Sequence, residues 1–258
     1  MNIPNLRDVG AVSSASVPLR TGVLYRSADL ATVDSSRAVG ELGIRTVVDL
    51  RTEAERAIRP DALPNNAEAV VADVLADERS AVPASARTAL DDPGGSAEHV
   101  RADEVEQHML TSYEQFVTLP SARRAYATLF SRIADAGNGP LLFHCAVGKD
   151  RTGWATAVLH QLAGLDHDEV MAEYLAVRDD VLALSRPVVE QFERAGGRAD
   201  DILPMVDVRP SYLNAAVAAM ASHYGDVNGY LTVGLGLDAS TVNAARSTLI
   251  EYSAARQS

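Results

Sequence analysis

Short runs of β-branched and aliphatic residues alternate, up to Leu165, with stretches whose apolar positions recur every three or four residues. Val23-Leu24-Tyr25 reads as a strand. Asp34-Ser35-Ser36 can cap a helix that runs through Leu42 and stops at Gly43. Ile44 to Leu50 is rich in β-branched residues and reads as a buried strand, and Glu68 to Ala72 fits a strand less well. Helical patterns over 104–119 and 121–136 are divided by Pro120, and Gly137-Asn138-Gly139-Pro140 stops the second. Leu141-Leu142-Phe143 is a short buried strand, and helix resumes at Thr152, running to Leu162 before Gly164. The remainder is almost all helical, with caps at Asp166, Asp226 and Asp238 and breaks at Gly196-Gly197 and Pro204. The alternation predicts an α/β fold: a central, mostly parallel sheet flanked by helices, with an extended helical C-terminal part.

Periodicity disappears between Asp73 and Glu104, where Ala, Ser, Asp and Arg dominate and Asp91-Asp92-Pro93-Gly94-Gly95-Ser96 is a turn cluster. Residues 74–104 are therefore expected to form a loop, either a mobile cover beside an active site or a plain disordered insertion. Composition changes the picture in three ways. With 23 Lys+Arg against 35 Asp+Glu the 258-residue chain carries a net charge of −12, which argues against nucleic acid or an anionic membrane as partner. No apolar run approaches the ~20 residues of a membrane span, so no stable membrane insertion is expected. Residues 1–8 lack a basic start and an apolar run, so the reading is a cytoplasmic protein without a visible signal peptide. Finally, Cys145 is the one cysteine, which excludes an intrachain disulfide framework.

That cysteine lies in the most informative segment, Leu141-Leu142-Phe143-His144-Cys145-Ala146-Val147-Gly148-Lys149-Asp150-Arg151-Thr152-Gly153. It follows a strand directly, and five residues later an arginine stands where a helix begins. Amides of a tight loop entering a helix N-terminus converge into an anion site, so Ala146, Val147, Gly148, Lys149, Asp150 and Arg151 are the candidate phosphate-binding residues. Gly148 permits the backbone angles such a cradle needs. Arg151 adds a fork matched to two phosphate oxygens. The same field favours thiolate over thiol, and a thiolate beneath a cradled phosphate can attack phosphorus to give a phosphocysteine. A buried structural cysteine is the plain alternative. A chance match to His-Cys-x-x-Gly-x-x-Arg is expected in well under ~1% of chains this long, and the strand and helix context fits as well.

The string His144-Cys145-Ala146-Val147-Gly148-Lys149-Asp150-Arg151-Thr152-Gly153 resembles the signature loop of a subgroup of the cysteine-dependent protein tyrosine phosphatases. Asn5-Leu6-Arg7-Asp8-Val9-Gly10, Leu24-Tyr25-Arg26-Ser27-Ala28 and Val48-Asp49-Leu50-Arg51 are similar to its other landmarks. Tyr212-Leu213, Tyr224-Gly225, Tyr230-Leu231 and Thr241-Val242-Asn243 follow its helical tail. The likeness covers nearly the whole chain, so residues 1–258 are expected to form a single phosphatase domain. It implies a metal-independent, cofactor-free phosphomonoester hydrolase with Cys145 as nucleophile and Arg151 binding the phosphoryl group and its transition state. His144 would orient the loop, and Thr152 would hydrogen-bond near the sulfur or merely begin the helix. Lys149 would contact anionic groups of the substrate, with a solvated surface lysine as the alternative. Asp73 lines up with the general acid of the resembling enzymes, although Val71 and Ala72 stand where those have aromatic and proline residues. A one-residue shift leaves Asp77 as a second candidate.

Asp150 opposes an anion and must be tied to a cation or donor, with Arg151, Lys149 and Arg51 as candidates; its expected role is to organise the loop, and direct proton transfer is the lesser option. Arg7, Asp8, Arg26, Asp49 and Arg51 read as salt-bridged scaffolding. The resemblance also implies a helical lid, for which residues 179–210, hinged at Gly196-Gly197, are the candidate. Expected substrates are phosphorylated proteins, phosphotyrosyl ones foremost, with dual specificity or phospholipid phosphates as the alternative. Export occurs among the resembling enzymes, and the oligomeric state is not readable. A catalytically silent phosphate-binding module would have lost the nucleophile or the arginine, and both are kept. Sulfur transfer generally uses a loop of another length, and arsenate reduction needs further thiols or an external partner.

Overall fold

The computed structural model describes residues 3–13, 16–78, 100–135 and 139–250. The turn cluster read at 91–96 lies outside the described residues, as do 137–138 of the one read at 137–140 and most of the expected loop, 79–99. Five strands form one sheet in the order β1-β2-β5-β3-β4, namely β1 (Arg7–Asp8), β2 (Leu24–Ser27), β3 (Thr46–Asp49), β4 (Glu68–Val71) and β5 (Leu141–His144). Only β1 pairs antiparallel. Strands β2, β5, β3 and β4 are parallel, with Ser27, His144, Asp49 and Val71 brought level at their carboxyl ends. In open parallel sheets that edge is where ligands bind, because the loops leaving it converge there.

Helices α1 (Val33–Glu41) and α2 (Glu53–Ile58) connect the first strands. The N-cap of α1 is Thr32, whose hydroxyl accepts from Ser35 N, rather than the Asp34 cluster read from sequence. Helix α2 was not foreseen; Thr52 and Glu55 close it with a reciprocal capping box. Helices α3 (Ala102–Thr118) and α4 (Pro120–Ala134) follow, with Pro120 opening α4 at a position where its missing N–H costs nothing. The start of α3 corrects the loop reading at its end, since 102–104 are already helical. At its beginning, Val74 is fully buried and its carbonyl accepts from Ser121 Oγ at 2.9 Å, fixing the turn onto α4.

Helix α5 (Asp150–Ala163) starts two residues before the expected Thr152 and runs through the middle of the molecule with twelve of its residues buried, Trp154 among them. It ends on Gly164 at φ 103°, a left-handed C-cap. The helical tail comprises α6 (His167–Leu175), α7 (Arg178–Arg194), α8 (Ala199–Val206), α9 (Pro210–Tyr224), a turn over Val227–Gly229 leading into a π-helical Tyr230–Gly234, and α10 (Ala239–Leu249). Asp166, Asp226 and Asp238 all cap as the sequence indicates, each carboxylate accepting the amide three residues on. Gly196-Gly197 separates α7 from α8, and a Cβ at Gly197 would lie 2.2 Å from the Phe192 ring. Pro204 does not interrupt the chain there: it lies inside α8, where it forfeits a single helical bond while its carbonyl accepts from Tyr212 Oη at 2.8 Å.

The main core lies between the sheet and α3, α4, α5 and α9, and holds Tyr113, Phe116, Tyr126, Phe130, Phe143, Trp154, Tyr212 and Tyr230. A smaller cluster of Leu30, Val39, Ile44, Val47 and Leu142 fills the opposite face under α1. A third, Val100, Val105, Phe192 and Ile202, joins α3 to α7 and α8. No helix among the described residues is long and apolar enough to cross a membrane.

Candidate active site

Cys145 is the first residue beyond β5 and is 2% exposed. The five residues after it turn into the N-terminus of α5, and their carbonyls are held from outside. Asp29 N donates to Ala146 O at 3.1 Å. Asn5 Nδ2 donates to Val147 O at 3.0 Å and to Gly148 O at 3.2 Å, and Arg26 Nη2 donates to Gly148 O at 2.6 Å. Among the described residues, none of the amides from Ala146 to Lys149 is spent on another backbone carbonyl. Pinning the carbonyls outward turns the amides inward, and together with the free N–H groups of α5 they make an anion cradle. Gly148 is indispensable on two counts: its φ is 76°, and a Cβ there would lie 2.4 Å from Ser27 O.

Arg151, in the first turn of α5, is engaged by a residue the sequence reading missed. Its Nη1 and Nη2 each donate at 2.7 Å to the Glu55 carboxylate of α2. The pair occupies one end of the guanidinium and leaves Nε and the second Nη2 hydrogen for an anion in the cradle. Burial works against charge on both partners. Their contact outweighs it, raising the Arg151 pKa and holding the Glu55 carboxyl down at about 2. A carboxyl depressed in the folded protein contributes stability above its ordinary range and loses it as pH falls through the folded value. Glu55→Gln should therefore lose less stability than wild type between about pH 5 and about pH 2, read from denaturant midpoints. Parallel acid limbs in the two proteins would contradict the pairing.

Asp73 stands two residues beyond β4, its Oδ2 accepting from Glu53 N at 3.1 Å and its Oδ1 from Leu75 N at 3.0 Å. Burial raises its pKa, against the pull of the Leu75 amide and of Arg56 and Arg151. A carboxyl on the cradle side of the sheet, in the field of Arg151 and with its neutral form favoured, suits a proton donor. Asp77 is turned elsewhere, paired with Arg124 at 3.1 Å.

Asp150 accepts from Tyr113 Oη at 2.9 Å and lies 3.4 Å from Lys149 Nζ. Tyr113 Oη in turn meets Tyr174 Oη at 2.7 Å, and burial, with Asp150 beside it, keeps the Tyr113 phenol neutral. Of the partners expected for Asp150, Lys149 is realised. Arg51 is not: its guanidinium is bound to Asp49 at 2.7 Å and Asp61 at 2.8 Å. Lys149 is not a surface lysine either. It is 4% exposed, and its ammonium donates to Met205 O and, at 3.0 Å, to Asp207 O at the C-terminus of α8. Helix C-termini attract cations, so this contact satisfies dipole and charge together.

His144 is fully buried, with Nδ1 3.1 Å from Cys145 O and Nε2 3.0 Å from Asp61 Oδ2. Burial opposes ionisation of Asp61, yet the His144 ring and Arg51 hold its carboxyl below the usual range. Asp49, Asp61 and His144 gather within 4.8 Å of one another, and Arg51 supplies the positive charge those carboxylates need. Thr152 is buried in the first turn of α5, and its Oγ1 has no hydrogen-bond partner among the described residues.

Known proteins can now be set beside this geometry. A family profile described as "Tyrosine phosphatase family" matches residues 1–251. The chain is 32% identical to "Triple specificity protein phosphatase PtpB" of Mycobacterium tuberculosis, over 95% of this chain and 96% of that protein. It is 30% identical to a protein of Cupriavidus necator named as a candidate tyrosine-protein phosphatase, over 92% of this chain and 83% of that one. A "Tyrosine-protein phosphatase" of Nostoc commune is 29% identical over 80% of this chain and 67% of its own.

Proposed function

The chain belongs to the tyrosine phosphatase family, and on that footing we propose that it hydrolyses phosphotyrosyl proteins through a phosphocysteine on Cys145. The observation that carries the reading is the outward pinning of the Ala146, Val147 and Gly148 carbonyls around a buried cysteine. It leaves a ring of amides for three phosphoryl oxygens, with Arg151 on the rim. In the first step the Cys145 sulfur attacks phosphorus. The P–O bond to the leaving group breaks, and Asp73 gives its proton to the departing oxygen. In the second step the Asp73 carboxylate takes a proton from water, whose oxygen attacks phosphorus. The P–S bond breaks, and phosphate leaves with the thiolate restored. The amides and Arg151 act throughout on charge that grows on the equatorial oxygens.

Lys149 and Asp150 shape the cradle in this reading. Asp150 is spent on Tyr113 and Lys149, so loop organisation fits it better than proton transfer. Residues 179–210 are proposed as a cover over the site, because Lys149 fastens the C-terminus of α8 to the cradle itself.

The substrate range is tested by comparing kcat/KM for phosphotyrosyl peptides, phosphoseryl peptides and phosphoinositides. Phosphotyrosyl peptides are expected to exceed phosphoseryl peptides by about tenfold or more, since a buried nucleophile favours the longer phenolic ester and a phenol leaves more readily than an alcohol. The relative in Mycobacterium tuberculosis is named for triple specificity, which supports measurable turnover of the other two classes. A preference for phosphoserine or phosphoinositide over phosphotyrosine would overturn the assignment.

A further inference from the structure

Among the described residues three arginines are buried: Arg26 at 3% exposure, Arg51 at 1% and Arg151 at 9%. Two are neutralised at contact distance, Arg51 by Asp49 and Asp61 and Arg151 by Glu55. Arg26 differs. Among the described residues it has no carboxylate partner. Its Nη2 donates to Gly148 O at 2.6 Å, and its Nε is shut from solvent without a hydrogen bond. The residue directly opposite it on β1 is another cation, Arg7, which pairs with Asp180 instead. The scaffolding salt bridge expected for this residue from sequence is absent among the described residues. A guanidinium so placed is unfavourable unless an anion compensates it, because desolvation penalises the charged form.

Arg26 on β2 lies level with Phe143 of β5, two residues before Cys145, and its guanidinium reaches the Gly148 carbonyl of the same loop. The groups that act on it most strongly are Cys145, Arg7 and the phenols of Tyr113 and Tyr174. Burial holds both phenols neutral well above the ordinary tyrosine range. His160, which also feels Arg26, is kept neutral by burial, its pKa pushed down to about 4. Of these groups the cysteine sulfur, the nucleophile of the proposed reaction, is the one that acts as an anion. Around that sulfur stand Arg26 on β2, Arg151 on α5, Tyr126 on α4 and the adjoining His144. The Tyr126 phenol is held neutral by burial. Arg151 is already engaged by the Glu55 carboxylate, which cancels much of its field at the sulfur. The unneutralised cation is Arg26.

We propose that Arg26 is the fixed counter-cation of the Cys145 thiolate, a positioning residue that holds the Gly148 carbonyl with one nitrogen and stabilises the sulfur anion from beneath the cradle. The division of labour is physical. Arg151 exchanges partners as phosphate enters and leaves, whereas Arg26 stays in place and keeps the sulfur ionised between turnovers. Burial sets a strain on this arrangement, depressing the Arg26 pKa to about 10, and the thiolate opposes that depression. The inference rests on Cys145 being the nucleophile.

The test uses the full chain and its one thiol. Iodoacetamide alkylation of Cys145 is followed across pH for wild type, Arg26→Gln and Arg26→Lys, with inorganic phosphate as the protecting anion. Arg26→Gln keeps a donor for Gly148 O but no charge. Its profile should move up by about one pH unit, an approximately tenfold slower reaction on the acid side. Arg26→Lys keeps the charge and should stay within about 0.3 units of wild type. An unshifted Arg26→Gln profile overturns the proposal. So does an Arg26→Lys profile displaced as far as that of Arg26→Gln, since geometry rather than charge would then be responsible. Should Arg26→Gln not fold, the Arg26→Lys profile decides by the same limit. A wild-type thiol that phosphate does not protect would overturn the nucleophile assignment itself, which separates that failure from this one.

Discussion

Cys145→Ser is expected to reduce hydrolysis of p-nitrophenyl phosphate by roughly 10^4-fold or more while leaving phosphate binding intact. The two consequences come from different atoms. Hydrolysis needs an anionic sulfur in line with phosphorus, and a serine hydroxyl at the same place has no base beside it to take its proton. Binding comes from amides whose carbonyl ends are pinned by Asp29, Asn5 and Arg26, through hydrogen bonds that do not involve the Cys145 sulfur. Vanadate should inhibit wild type, and a phosphotyrosyl peptide should still bind the serine variant, as measured by calorimetry. Turnover that survives the substitution would remove Cys145 from the mechanism.

Asp73→Asn should produce the second largest effect, and its size should depend on the leaving group. An amide cannot donate a carboxyl proton, so esters of poorly acidic alcohols and phenols should slow by about 10^2- to 10^3-fold. Activated aryl phosphates, whose leaving groups depart as anions unaided, should slow by less than about tenfold. The slope of log kcat against leaving-group pKa should therefore steepen in the variant. Asp77→Asn serves as the counterpart: its carboxylate is occupied by Arg124, and its leaving-group dependence should match wild type. A uniform loss across the series in Asp73→Asn would show that the residue supports the loop rather than supplying the proton.

What could be read from sequence was what is local. The strand–loop–helix passage from Leu141 to Gly153 carries its own geometry: β-branched and aliphatic residues make β5, Gly148 permits the turn, and the chain enters α5 with its amides free. The aspartate caps at Asp166, Asp226 and Asp238 are local as well, each closing on an amide three residues away. What stayed hidden is contact between distant segments. Thr52-x-x-Glu55 is a legible capping signal, but nothing near it indicates that the same Glu55 carboxylate grips Arg151, 96 residues on. Lys149 reads from sequence as a contact for the substrate's anionic groups or as a surface lysine, and neither reading anticipates the two carbonyls that α8 and its C-cap place on the ammonium. Arg26 looks like one half of a salt bridge because paired charges are the common fate of arginine at a strand end. The three-dimensional arrangement instead leaves it without a carboxylate partner among the described residues, donating to the Gly148 carbonyl.

The alignment of four parallel strands ties these pieces into one site. Their carboxyl ends release Ser27, His144, Asp49 and Val71 at one level, so β2 delivers Arg26, β5 delivers Cys145, β3 leads to Arg51 and Glu55, and β4 leads to Asp73. The fold thus gathers Arg26, Cys145, Glu55 and Asp73 from four separate strand ends.

The most direct check is to quench wild-type enzyme with acid during turnover of a phosphotyrosyl peptide and to map the phosphorylated residue by mass spectrometry. A phosphoryl group on the sulfur of Cys145, present during turnover and gone once substrate is exhausted, is the predicted result. Full turnover with no phosphorylated enzyme, or with the phosphoryl group on any other residue, would contradict it.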